Sequence, residues 1–315
     1  MSGQAPDLRV TVTGATGLIG PRVVAALQDA GAQVSVLSRN PERAEESLQH
    51  AGCAPVEAYA WDLMSEPAPA EALEGRDTVV HLAGENIAQR WNESAKRTIR
   101  ETRVTGTRNL LAGMRAAEHG PRALVSSSGV GYYGPHGEEP LDEDAPPGRD
   151  FLAQVCVEWE AEAQKAQALG VRVVCIRTGV VLDKDGGALE KMLPPFKLGL
   201  GGPVASGRQY MSWVHRDDVV GMIAQAASDE HWQGAVNATA PRPVSNRDFA
   251  RALGRALKRP ALLPVPGVAL QLMYGEMAGL ITEGARVVPA KALVLGYDFA
   301  HPELDEALSS ALARG

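Results

Sequence analysis

Between Val12 and Pro21 the chain runs Val-Thr-Gly-Ala-Thr-Gly-Leu-Ile-Gly-Pro. An apolar stretch, Leu8 to Thr13, leads in, and a helical pattern, Leu18-Ile19 through Leu27, leads out. Gly14, Gly17 and Gly20 therefore stand where a strand turns into a helix. The first permits a tight turn, the second lets backbone approach a pyrophosphate, and the third lets helix and strand pack closely. The helix start adds free N–H groups and a partial positive charge. Gly14, Thr16, Gly17, Leu18 and Ile19 are the candidate phosphate contacts; the competing reading is an ordinary glycine turn.

The next element selects the nucleotide. Gln33 to Leu37 is a second strand, Gly31 having closed the helix. A chain that binds NAD usually ends this strand with Asp or Glu on the ribose 2′-OH. Here the strand runs into Ser38-Arg39-Asn40-Pro41-Glu42-Arg43. Arg39 suits a 2′-phosphate and the adenine face, and Ser38 adds a hydroxyl. The expectation is NADP(H). The alternative makes Arg39 and Arg43 solvated charges at a helix start, a poorer match to their place after the glycine turn.

A chain of 315 residues can bury a large core, as one domain or a domain plus a lobe. Its net charge of −7 gives no basic field, so no nucleic-acid partner is expected. No apolar run is long enough to span a bilayer, and Met1 to Pro6 lacks the pattern of a signal peptide. The expectations are no membrane partner and a cytoplasmic location. Cys53, Cys156 and Cys175, odd in number and far apart, suit a reducing compartment and read as small buried apolar residues. The histidines show no metal-ligand spacing, so no metal is expected. A homodimer is left open.

Strands and helices alternate through the first half. Val56–Ala60, Asp77–Leu82, Ala123–Ser126 and Val171–Ile176 read as further strands, and about Asn92–Ala117 and Phe151–Leu169 as helices. β-branched runs between helices imply parallel strands buried on both faces. The fold class is α/β: a doubly wound parallel sheet, a Rossmann fold, with a smaller, mostly helical C-terminal substrate lobe. Residues 1–182, with contributions from 207–240, form the nucleotide-binding domain; 183–206 and 241–315 form the lobe. The stretch 183–206 is rich in Gly and Pro and reads as an irregular strap over the cleft. Ser245-Asn246-Arg247-Asp248 opens a helix to Leu257, and three short helical stretches follow, Ala269–Leu280, Pro289–Leu295 and Pro302–Leu312. Ligands of such sheets sit beyond the carboxyl ends of the strands. Gly14, Ser38, Asp62, Ala83, Ser128 and Arg177 all fall there.

Several motifs resemble the extended short-chain dehydrogenase/reductase superfamily: Thr13–Gly20, His81-Leu82-Ala83-Gly84, Ser126-Ser127-Ser128 followed by Tyr133-Gly134, Arg177–Val181 and Trp213–Val219. More narrowly the chain is similar to its atypical epimerase-family, nucleoside-diphosphate-sugar-epimerase-like members, which carry a C-terminal domain of unknown function. That match rests on Ala83–Ala88, Arg90-Trp91-Asn92, Trp159-Glu160, Leu198–Pro203 and Gly284–Pro289. The resemblance implies NADP(H) as cofactor and a small carbonyl or sugar-nucleotide-like substrate in the cleft. It puts Ser38 and Arg39 at the 2′-phosphate, Asp62 and Leu63 beside the adenine, Leu82, Ala83 and Gly84 along the nicotinamide ribose, and Arg103 against the cofactor.

The superfamily's catalytic Tyr and Lys stand four apart on the helix after the fifth strand, the Lys lowering the Tyr pKa. Anchored on Trp159-Glu160, those positions hold Leu152 and Cys156 here. Other candidates are Ser128, Tyr132 and Tyr133 as catalytic groups and Glu85 and Asn86 as substrate contacts. Arg177 is placed on the cofactor side or on a substrate phosphate or carboxylate. The alternatives are that the tyrosines only pack the loop and that Arg177 pairs with an acidic neighbour. Two functions follow: an NADP(H)-dependent oxidoreductase or epimerase, and a non-catalytic NADPH-binding regulator acting through a partner.

Overall fold

The computed structural model describes residues 8–313; the polar segment Met1–Pro6 lies outside the described residues. Seven parallel strands make the main sheet: β1 (Arg9–Thr13), β2 (Gln33–Ser38), β3 (Glu57–Ala60), β4 (Thr78–His81), β5 (Ala123–Gly129), β6 (Arg172–Thr178) and β7 (Gly234–Ala238). Their spatial order is β7-β6-β5-β4-β1-β2-β3. The order reverses at β1, which pairs with β2 on one side and β4 on the other. A crevice must open at that switch point, because the connections leave it in opposite directions.

The sheet is buried on both faces, as its unbroken apolar strands require. Val12, Val36, Val80 and Val236 pack under α1 (Gly20–Asp29), α2 (Pro41–His50) and α6 (Arg216–Ser228). Val79, Leu124 and Val173 pack under α3 (Glu93–Ala116) and α4 (Phe151–Gln164). Asn92 and Asp150 cap the last two helices through their side-chain oxygens, which satisfies N–H groups left open at a helix start.

Two elements depart from the sequence expectation. The stretch 183–206 is not irregular throughout: α5 spans Gly187–Lys197 and contains Pro194 and Pro195. The helix persists because Leu189, Leu193 and Phe196 form one buried apolar stripe. The edge strand β7 has no counterpart in the sequence reading, its short Gly-Ala-Val-Asn-Ala run being weak in β-branched residues.

A second core surrounds Trp213 and Phe249, where Val180–Leu182 pairs with Trp213–His215 beside α5 and α7 (Asn246–Leu257). As expected, Ser245 caps α7 by accepting from the Asp248 amide. α8 (Gly267–Tyr274), α9 (Gly279–Thr282), α10 (Ala290–Val294) and α11 (Leu304–Ala313) complete the chain. The buried carboxylate of Asp218 pins the approach to α11 by accepting from the Ala300 and His301 amides. Among the described residues no helix is long and apolar enough to cross a membrane.

Candidate functional site

The glycine turn lies at the carboxyl end of β1. Gly14 has φ +69°, and a methyl there would sit 2.7 Å from the Ala83 amide nitrogen. Only glycine tolerates both. At Gly17 an added methyl would approach nothing closer than the Gly14 carbonyl at 3.2 Å, so the turn's outer face is open. The amides of Gly17 and Gly20 are spent on turn bonds to Gly14 and Gly17. Those of Leu18 and Ile19 take no hydrogen-bond partner among the described residues, which leaves an anion cradle at the start of α1. Leu18 touches Gly186, where a methyl would come within 2.3 Å of its Cδ1. The start of the α5 segment thus packs on the turn.

Ser38 ends β2 and its hydroxyl donates to the Asn40 carbonyl at 3.1 Å. Arg39 is exposed on the same rim, near enough to Asp62 to help hold that carboxyl below its usual range. The main causes of that lowering are the Met64 amide and the Ser65 hydroxyl, both donating to Asp62. Leu63 turns the other way: its side chain fills the space over Gly106 of α3.

Leu82 to Gly84 continue β4 beside the turn. Arg103 does not sit on the outer face of α3. Its guanidinium lies against Gly84, 5.0 Å over the Trp159 ring, and donates to the Ile99 carbonyl. Burial lowers its pKa. The neighbouring His81 is fully buried, with Nδ1 2.7 Å from the Thr13 hydroxyl. Burial, then the Arg103 charge, push its pKa down to about 4. Glu85 and Asn86 line the loop that follows, Glu85 accepting from Gln89 and Asn86 from the Ala88 amide.

The ends of β5 and β6 hold a buried polar network. Ser128 and Arg177 face each other in register. Arg177 donates from Nε and Nη2 to the two Glu160 oxygens, each at 2.8 Å. Ser128 donates to the same carboxylate at 2.7 Å. Nη1 of Arg177 also reaches the Tyr133 hydroxyl at 2.9 Å, and that hydroxyl donates to Asn237 Oδ1 at 2.7 Å. Burial opposes the arginine's charge, but Glu160 outweighs it and the pKa rises.

Tyr133 is thus not at the cleft edge: it is fully buried, and burial pushes its phenol up to about 12. Arg177 pairs with an acidic neighbour, the alternative weighed above. Tyr132 differs from both. Its ring lies 3.4 Å from the Arg177 guanidinium, it is half-buried, and its hydroxyl has no hydrogen-bond partner among the described residues.

Leu152 and Cys156 sit on α4 in an apolar cluster with Trp91, Ile99, Val155 and Met277. Burial, then Glu160, raise the Cys156 thiol to about 12. A neutral thiol in such a place is neither nucleophile nor cation.

Glu160, Asn237 and Glu143, whose carbonyl accepts from Arg177 Nη1 and whose carboxylate accepts from the Asn237 amide, escaped the sequence reading as members of this network. So did a group that spacing could not reveal: His215, Asp217 and His301 bring donor atoms within 4.8 Å of one another. His215 Nδ1 there accepts from the Asp217 amide, and Arg216 Nε lies 3.8 Å from the Asp217 carboxylate.

Residues 10–238 match the family model described as NAD dependent epimerase/dehydratase family. The chain belongs to that family. Residues 265–311 match a domain of unknown function, DUF1731. Among relatives of the family, the epimerase family protein SDR39U1 homolog of Arabidopsis thaliana is 39% identical, over 99% of this chain and 88% of that protein. The crystal structure of human epimerase family protein SDR39U1 with NADPH superposes with a TM-score of 0.85 at 34% identity, over 98% of this chain and all of that one. UDP-glucuronic acid 4-epimerase from Bacillus cereus shares the fold at a TM-score of 0.77 and 16% identity, over 97% of this chain and 98% of that one.

Proposed function

We propose that the protein binds NADP(H) and acts as an oxidoreductase or epimerase-like enzyme on a small carbonyl or sugar-nucleotide-like substrate. The observation that carries this reading is the open glycine turn with Ser38 and Arg39 on its rim. The turn offers backbone N–H groups to a pyrophosphate, and Arg39 offers a guanidinium to a 2′-phosphate. The NADPH held by the human relative, which matches over the whole chain, supports it. Arg103, whose guanidinium lies against Gly84, is the cation we assign to the cofactor's nicotinamide side.

When bound, the nicotinamide supplies or accepts a hydride. The protein's part is to polarise a carbonyl and move a proton. Tyr132 is the group we assign to that proton, because Tyr133, Leu152 and Cys156 are closed to it. Arg177, locked by Glu160, holds the Tyr132 ring, and Ser128 stands beside it on the same carboxylate. Glu85 and Asn86 remain the candidate substrate contacts.

A second reading rests on α4. With Leu152 and Cys156 in an apolar cluster, the chain would bind NADPH and act through a partner. A screen of ketones and nucleotide sugars for NADPH oxidation separates the two. The enzyme reading expects turnover that Tyr132→Phe reduces by roughly 100-fold or more. Turnover that Tyr132→Phe leaves intact refutes the assigned acid; tight NADPH binding with no turnover across the screen favours the regulator.

A further inference from the structure

One face of the lobe is at once apolar and basic. Leu262 is 80% exposed, Leu198 75% and Leu272 74%, and Leu200, Leu263 and Val268 are exposed beside them. They stand on neighbouring segments. The Leu263 amide donates to the Gly201 carbonyl and the Ala205 amide to the Val265 carbonyl, so 198–205 and 262–265 run side by side. α8 follows at once, with Val268 and Leu272 one turn apart. α8 has no charged residue and none of its eight residues is buried. Tyr274 packs against the Trp91 cluster, which leaves Val268, Leu272 and Met273 as the helix's exposed large apolar side chains.

Cations flank this surface. A hollow of about 410 Å³ at the end of α7 is lined by Arg251, Arg255, Lys258 and Arg259, with Leu262 at its edge. Arg251 and Arg255 are paired with Asp248 and Asp305. Lys258, Arg259 and the exposed Lys197, which adjoins Leu198, form no ion pair among the described residues. The chain as a whole carries a net charge of −7, so this positive field is local.

We propose that this face docks on an anionic phospholipid bilayer. Apolar side chains standing out from turns and a short exposed helix, with Lys and Arg beside them, match an interface of acyl chains under negative headgroups. A bilayer accepts protruding leucines without a shaped groove, and the flanking cations complement its headgroups. The sequence expectation of no membrane partner rested on the lack of a span, which peripheral docking does not need. α8 ends beside Arg90, on the loop after β4, so the docked face borders the crevice. The inference does not depend on the cofactor reading.

Sedimentation of the full chain with vesicles tests it. The protein should pellet with phosphatidylcholine–phosphatidylserine vesicles, less so as salt rises, and little with phosphatidylcholine alone. Leu198→Asp/Leu272→Asp and Lys258→Glu/Arg259→Glu should each weaken partitioning roughly ten-fold or more. Both pairs are exposed, so their melting curves should match the parent's. No pelleting with anionic vesicles, or pelleting that both double variants retain, overturns the proposal. So does a dimer in light scattering that Leu272→Asp dissociates, since a second copy would then cover the face.

Discussion

The two sides of the crevice are built from different material. At the β1 end the site is backbone: a left-handed Gly14, an open Gly17 and the first amides of α1. At the β5 and β6 ends it is side chain: Ser128, Glu160, Arg177, Tyr133 and Asn237 share one chain of hydrogen bonds. The first surface leaves the Leu18 and Ile19 amides without a hydrogen-bond partner among the described residues. The second is closed on itself, and its charges neutralise one another before any ligand arrives. The superfamily's acid–base pair would stand on α4 within this second side, and there Leu152 and Cys156 are packed in apolar surroundings. The lesson is that nucleotide binding and proton transfer can part company in one fold, because they draw on separate sets of atoms.

The largest break in that comparison comes from Glu160→Ala. It strands Arg177, whose side chain is 5% exposed, without its carboxylate. The loss should be about 3–5 kcal/mol in denaturant unfolding, the usual cost of leaving one member of a buried pair. NADPH affinity of the folded fraction should stay near that of the parent; a matching loss of affinity would mean the two sides are coupled.

A comparable effect comes from pH. His81 titrates near 4 folded and near 6.5 unfolded. The unfolded chain therefore binds more protons between those values, and stability falls as pH drops from about 6.5 to 4. The contribution is on the order of 3 kcal/mol. His81→Gln should flatten that part of the stability–pH curve, and an unchanged slope would refute the assignment.

Smaller still is the contrast between the adjacent tyrosines. Tyr133→Phe removes a partner from both Asn237 and Arg177 and should cost about 1–3 kcal/mol. Tyr132→Phe removes no hydrogen bond and should stay within about 0.5 kcal/mol of the parent. Equal effects on stability would erase the distinction between a structural and an available phenol.

How much of this was legible beforehand follows from the same contrast. Glycines at a strand–helix turn act through local sterics, so Gly14, Gly17 and Gly20 announce themselves in ten residues. The parallel sheet likewise shows as apolar runs. The network does not, because its partners lie up to 104 residues apart and only the β5–β6 and β6–β7 pairings and the packing of α4 bring them together. Tyr132 and Tyr133 are neighbours in sequence, yet one is half-buried and the other fully buried; no pattern of composition separates them. α5 was hidden by Pro194-Pro195, since local propensity speaks against a helix that tertiary burial of Leu189, Leu193 and Phe196 retains. The His215, Asp217 and His301 group joins His301 to residues 84 and 86 positions earlier in sequence, where Asp218 accepts from the 300 and 301 amides.

The most direct test of the account is a nucleotide titration of the parent and of Arg39→Ala with NADPH and NADH. The parent should prefer NADPH. Arg39→Ala should lose about 1.5–3 kcal/mol of NADPH affinity, roughly 10- to 150-fold, with little change for NADH. An equal loss for both nucleotides, or no binding of either by the parent, would contradict it.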